Sequence, residues 1–280
     1  MSDESNKHNN QFSCDYRVKI VYHPMMLESY DRTPAGAVGR LESAVQLLSK
    51  KAGYEFVEPK PATDEDIIRA HSSRHIERIK ADSDTRKEGL LEKLARLAAG
   101  GSILTGEIAL GGKPAFGLLR PPGHHASRSS YWGFCYYSNM AITILNLKSR
   151  GLIKSAFVLD FDLHVGDGTI NILGEKKAFT IHNPSGKGDE SFLNDIRAAL
   201  KKAPEYDIIA ASAGFDQYVN DWGGNISTAG FNEIGRVMLE FAEERCEGKC
   251  FGILEGGYNF EDLGKNVLAF CEGLQGKSVK

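Results

Sequence analysis

The sequence predicts an α/β fold, a mostly parallel β-sheet covered by helices on both faces. Three observations predict it. Short runs rich in Val, Ile, Phe and Leu alternate along the chain with longer segments patterned for helices. The runs are continuously apolar, as expected of strands buried on both faces. Four of them lead directly into polar or glycine-rich chemistry, on the side where an open α/β sheet binds its ligands.

Taken in order, the opening "MSDESNKHNNQFSCDY" is polar and has no apolar segment of the kind a secretion signal needs. Residues 1–15 are read as a flexible N-terminal arm. Strands are expected at 17–23 ("RVKIVYH"), 115–119 ("AFGLL"), 155–161 ("SAFVLDF"), 178–182 ("AFTIH"), 206–213 ("YDIIAASA") and 250–254 ("CFGIL"). Helical patterning covers 39–50, 64–80, 87–110, 135–149, 190–202, 228–246 and 261–274, with Thr228 as the N-cap of the sixth. No repeat, low-complexity tract or linker divides the chain, so residues 16–280 are read as one domain.

Composition narrows the partners. The net charge of −3 over 280 residues gives no field that would favour nucleic acid or an acidic membrane. No apolar run is long enough to span a bilayer. The five cysteines are odd in number, contain no CxxC spacing and sit in a chain too large to need disulfide staples. A reducing, cytoplasmic setting is expected.

The stretch "FVLDFDLHVGDGT" (157–169) places Asp160, Asp162, His164 and Asp167 at the end of an apolar strand. Burying that charge is costly without a partner. If the strand stays extended, the spacing of two points Asp160, Asp162 and His164 to one side. Two carboxylates and an imidazole with one open position are the pattern of a catalytic zinc site, and Asp216 in "SAGFDQ" is the obvious donor from another strand end. The competing reading is a buried Asp162–His164 hydrogen bond with no metal. Three of the eight histidines, His124, His125 and His164, sit on this rim, which favours metal. In "RPPGHHA" (120–126) the adjacent histidines follow two stiffening prolines and a glycine. A histidine base needs a carboxylate to set its tautomer, and Asp160 and Asp167 remain available for the two rings.

The motifs "RPPGHHA", "GFCYYSN", "DFDLHVGDGT", "SAGFD" and "LEGGYN", in this order, resemble the histone deacetylase superfamily and its acetylpolyamine amidohydrolase relatives. The resemblance covers residues 17–275, with a weaker opening from His23 to Leu47. It implies a single-domain arginase/deacetylase fold and a hydrolase with one catalytic Zn2+, Fe2+ being the alternative ion. Asp162, His164 and Asp216 would be the metal ligands. His125, backed by Asp167, would be general base and then acid, while His124, paired with Asp160, would lend electrostatic support. Tyr258 would hydrogen-bond the scissile carbonyl, the additional electrophile that a charge-neutral metal site calls for. Gly133 and Phe134 would line the acyl tunnel, Trp132 would lie on its rim or cover the loop, and Cys135 would pack beneath. The implied substrate is an acylated lysine in a protein or peptide. A small acyl-amine such as an acetylpolyamine is the alternative, and an acyl-lysine binding module the non-enzymatic one.

Some positions depart from the family pattern. Val165 replaces a second histidine that is not a ligand, so packing rather than activity is affected. His182 stands where a serine usually helps hold a monovalent cation, so potassium in its usual form is not expected. Asp84 and Asp82 are the candidates for a substrate-orienting acid, against solvated loop charge as the plainer reading. The segment from His75 to Gly101 has no room for the insertion of dimeric polyamine enzymes, which implies an open mouth. Glu255 in "LEGGYN" matches the class II and polyamine branches. An arginase-like two-manganese site would need bridging ligands that "DLHVGD" lacks.

Overall fold

The computed structural model describes residues 17–84 and 89–278; the N-terminal arm, with Cys14, lies outside the described residues. Among the described residues seven strands form one parallel sheet: β1 Val18–Val21, β2 Tyr54–Val57, β3 Ala115–Gly117, β4 Ala156–Asp160, β5 Phe179–His182, β6 Ile209–Ala213 and β7 Cys250–Leu254. Their order is β2-β1-β3-β7-β6-β4-β5. β3, β4, β6 and β7 are buried at every position, which is why they read as continuous apolar runs. β2 escaped the sequence reading because it is an edge strand, "YEFV", with no fully buried residue.

The helices are α1 Glu42–Lys50, α2 Asp64–Ile67, α3 Ser73–Asp84, α4 Leu90–Ala109, α5 Asn139–Ser149, α6 Asp167–Leu173, α7 Gly188–Lys202, α8 Thr228–Arg245 and α9 Phe260–Gly273. Neighbouring residues of β7 show that helices cover both faces. A Cβ on Gly106 of α4 would touch the Phe251 ring, whereas a Cβ on Gly252 would meet Phe270 of α9. Among the described residues no helix is long and apolar enough to cross a membrane.

Several helix limits differ from expectation. Ser227, not Thr228, caps α8: its hydroxyl accepts from Gly230 N at 3.0 Å, and Thr228 is the first helical residue. The helix expected at 135–149 starts at Asn139, because residues 135–138 belong to the loop beneath the site. The helix expected at 64–80 is broken into α2 and α3, and α6 was not expected at all. The break turns His71 inward. Its Nδ1 lies 2.9 Å from Ser127 O and its Nε2 accepts from Ser138 N at 2.9 Å, so one ring staples both ends of the 127–138 loop. Buried Arg120 does similar work, donating to the carbonyls of Met26, Glu28, Ala35 and Ala37 and fixing the entry to the tandem histidines.

The four central strands β3, β7, β6 and β4 are adjacent and parallel, so their carboxyl ends open onto one rim. The loops that leave there carry "PPGHH", "DLHVGD", "GFD" and "EGGY".

Burial and the stacked His75 push His71 down from 6.5 to about 3. The unfolded chain therefore binds a proton that the native state refuses. This contribution is fully present above pH 6.5 and is lost as pH falls toward 3, with a slope of at most about 1.4 kcal/mol per pH unit. Urea titrations across that window should show His71→Gln to be less stable at neutral pH and to lose stability less steeply on acidification. An unchanged slope would contradict the account.

Candidate active site

β4 ends at Asp160, and residues 162–164 form a bend rather than more strand, so an extended backbone is not what aligns the side chains of this stretch. The bend is closed by Asp162, whose Oδ1 accepts from His164 N at 2.9 Å. Its Oδ2 accepts from Gly256 N at 2.8 Å. Asp216, on the loop after β6, accepts from Leu163 N at 3.0 Å through Oδ1. These bonds bring three side chains from two loops together. His164 Nδ1 lies 3.2 Å from Asp162 Oδ1 and 3.3 Å from Asp216 Oδ2. The three ligand atoms all fall within 4.8 Å of one another.

This cluster fits a divalent ion. A tetrahedral ion with bonds of about 2.0 Å sets its ligand atoms about 3.3 Å apart. Asp216 Oδ2 is buried and has no hydrogen-bond partner among the described residues. The approach depends on glycine: a Cβ on Gly256 would come within 2.6 Å of both carboxylates, and one on Gly214 within 2.2 Å of Asp162 Oδ2. Electrostatics points the same way. Burial and the Asp162 charge push Asp216 up, while Asp162, despite its burial, is held low by His124, His164 and the Gly256 amide. The two carboxylates raise His164 to about 10, so the cluster draws in positive charge.

A second buried group, His124, Cys135 and Glu255, also brings ligand atoms within 4.8 Å. It is a poorer donor set. The His124 ring faces Asp160, burial pushes the Cys135 thiol far up, and its Sγ donates to Gly133 O at 3.4 Å.

The tandem histidines meet the two acids of the opening stretch. His124 Nδ1 lies 3.3 Å from Asp160 Oδ2, and His125 Nδ1 lies 2.7 Å from Asp167 Oδ1. Their environments push them apart. His124 is raised, because Asp162 and Asp160 outweigh its burial. His125 is pushed down to about 4 by burial and by His124, against the pull of Asp167. His124 is thus drawn toward its charged form and His125 toward its neutral one, so the two adjacent rings differ in electrostatic character.

The loop before α5 wraps His125. Gly133 has φ of 59°, and a Cβ there would sit 2.3 Å from His125 Cδ2. Phe134 follows in the left-handed region at φ 66°, with its ring 6.0 Å from Tyr258. Trp132 is half exposed, and its Nε1 donates to Asp167 Oδ2 at 2.9 Å. Together with Pro122, His125, Trp222 and Tyr258, these residues line a cavity of about 150 Å³ beside the three-ligand cluster. A larger groove of about 590 Å³ between α2, α4 and α5 holds none of this chemistry.

Several residues that build the site were not picked out from the sequence. Buried Arg40 donates to the carbonyls of Glu255 and Gly257 and so clamps the loop bearing Tyr258. Asp221 accepts from the backbone N–H of Tyr258 at 2.6 Å and of Asn259 at 2.7 Å. Trp222 stacks on the Tyr258 ring at 4.1 Å. Glu255, read only as a branch marker, ties two strand-end loops together by accepting from Gly123 N at 2.6 Å and His124 N at 3.1 Å. Arg40 lies inside the weaker opening segment, the one sequence signal that could have singled it out.

The remaining candidates fall outside the cluster. The Asp82 carboxylate accepts the Tyr131 hydroxyl, so it braces the loop before Gly133, and the Asp84 side chain lies outside the described residues. His182 turns away to Asp195 of α7 at 3.0 Å. Val165 is exposed, and Cys135 packs beneath the site.

The model of the histone deacetylase domain matches residues 34–183 and 171–274. The chain belongs to the histone deacetylase family. Within that family it is 32% identical to a probable deacetylase of Methanothermobacter thermautotrophicus, over 86% of each chain. It is 30% identical to the chloroplastic histone deacetylase 10 of Oryza sativa subsp. japonica, over 88% of this chain and 68% of the other. A histone deacetylase-like amidohydrolase of Pseudomonas aeruginosa is 27% identical over 85% of this chain and 75% of its own. The crystal structure of the HDA15 HD domain superposes with a TM-score of 0.81 at 23% identity, covering 94% of this chain and 91% of that one, so the two share the deacetylase fold.

The repulsion between Asp162 and Asp216 gives a signed prediction. In chelator-treated protein, Asp216→Asn should raise the melting temperature by relieving that repulsion. Zinc at about a hundred times its Kd should stabilise the wild type by about 2.7 kcal/mol and the mutant far less. Thermal unfolding with and without zinc checks both signs; equal zinc stabilisation of the two proteins would count against the cluster.

Proposed function

We propose that the chain is a zinc-dependent amidohydrolase that removes acetyl or related acyl groups from amines, foremost the ε-amine of lysine in a protein or peptide. We read residues 16–280 as one catalytic domain working in the reducing setting of the cytoplasm. The observation that carries the proposal is the convergence of the Asp162–His164–Asp216 cluster, the His125–Asp167 pair and Tyr258 on one cavity.

An ion held by Asp162, His164 and Asp216 would supply Lewis-acid polarisation of the scissile carbonyl and a lowered pKa for the attacking water. The protein does the rest. His125, neutral and with Nδ1 held by Asp167, takes the proton of the attacking water at Nε2 and returns it to the leaving amine. His124 keeps its charge against Asp160 and steadies the negative charge that develops nearby. Burial keeps the Tyr258 hydroxyl protonated, so it can donate to the carbonyl oxygen as negative charge builds there during attack. Phe134 and Trp222 offer apolar walls to the methylene stem of a lysine.

The mouth supports a lysine displayed on a polypeptide. Trp132 and Trp222 are each 54% exposed beside it, and the His164 side chain is 39% exposed. Small acyl-amines are the competing substrates. A binding module without turnover accounts for neither the paired His125–Asp167 nor the three-ligand cluster.

Metal-analysed protein should release acetate from acetyl-lysine peptides in a chelator-sensitive way, and faster than from acetylputrescine at matched concentration. Tyr258→Phe should lower kcat by about 10² while retaining metal. Near-wild-type turnover in that mutant, or no hydrolysis of any acyl-amine by zinc-loaded wild type, would overturn the assignment.

A further inference from the structure

We propose that Trp132 is a positioning residue, one whose indole holds the Asp167 carboxylate and the His125 ring in register. The inference rests on the reading of His125 as the base and adds a third member to the His125–Asp167 pair.

The need for such a residue follows from exposure. The Asp167 side chain is 50% exposed, so a carboxylate held by a single bond there would rotate and exchange with water. Both of its oxygens are instead committed. Oδ1 faces His125 Nδ1 at 2.7 Å, and Oδ2 accepts from Trp132 Nε1 at 2.9 Å. A carboxylate bound through both oxygens has one orientation, and so has the imidazole attached to it.

The indole ring acts on His125 directly as well. The two ring centroids are 3.8 Å apart with planes inclined by 31°, so Trp132 covers one face of the imidazole. His124 packs nearby at 4.0 Å, and Gly133 presses against the Cδ2 edge. Trp132 therefore shields a base that would otherwise face the solvent at the mouth.

The chain is shaped to deliver this indole. Cys135 N donates to Trp132 O at 3.0 Å, closing a turn in which Gly133 and Phe134 both take left-handed φ. That turn sends Trp132 over His125 and Phe134 into the cavity. If Trp132 only covered the loop, its N–H would need no partner and a phenyl ring would serve equally. The bond to Asp167 separates the two roles.

Trp132→Phe keeps an aromatic face and deletes the N–H, and the exposure of the residue makes misfolding no obstacle. It should lower kcat about tenfold, the order expected for losing one hydrogen bond to a charged group, with KM and bound zinc unchanged. In an Asp167→Ala background, where the bond is already gone, the same substitution should cost little more. NMR gives a readout independent of turnover: the His125 Nδ1–H resonance should be resolved in the wild type and broadened by exchange in Trp132→Phe. Wild-type kcat with an unbroadened resonance, or an equal loss in both backgrounds, overturns the proposal. If the wild type hydrolyses no acyl-amine, the functional reading falls, and the NMR comparison still decides the role of Trp132.

Discussion

Asp162 and Asp216 are buried side by side, and the repulsion between their carboxylates is the interaction on which the rest of the site depends. Neither can turn to water. Gly214 and Gly256 let the backbone press against them where any side chain would collide. Backbone amides of the same rim fix the carboxylates, and the His164 ring lies against both. Such an arrangement is unfavourable for an empty protein and suited to one that holds a cation. The neighbouring groups follow from it. His164 is drawn toward its charged form, His124 is raised by the same field, and a charged His124 in turn pushes His125 toward neutrality.

Most of the sheet was legible because its central strands are buried on both faces and leave a continuous apolar signature. "YEFV" was not, since an edge strand shows a mixed pattern and little burial. Helix limits failed where side chains decide them. His71 interrupts the patterned stretch at 64–80 in order to reach two backbone groups distant in sequence, and no local signal announces that. Ser227 and Thr228 are both capping types, serine somewhat the better, and the bond to Gly230 N identifies Ser227 as the cap.

The residues of the candidate site stand out in the sequence for a physical reason. Charged and glycine-rich residues are expensive at the ends of buried strands, so their presence there is itself a signal. The condition under which spacing alone would align the 160–164 side chains does not hold, because Asp162 closes a bend through the His164 amide. The same residues converge nonetheless, since the bend and the loop after β6 share a rim. What the sequence hid were the supports. Arg40, Asp221 and Trp222 act on Tyr258 across long chain separations, through backbone carbonyls, backbone amides and ring stacking. Residue type alone does not reveal contacts of that kind.

Anomalous diffraction from zinc-loaded crystals, recorded on both sides of the zinc absorption edge, locates the ion without reference to activity. One strong peak enclosed by the Asp162, His164 and Asp216 side chains is expected. A peak instead among His124, Cys135 and Glu255, or none in protein shown to carry stoichiometric zinc, would contradict this metal site.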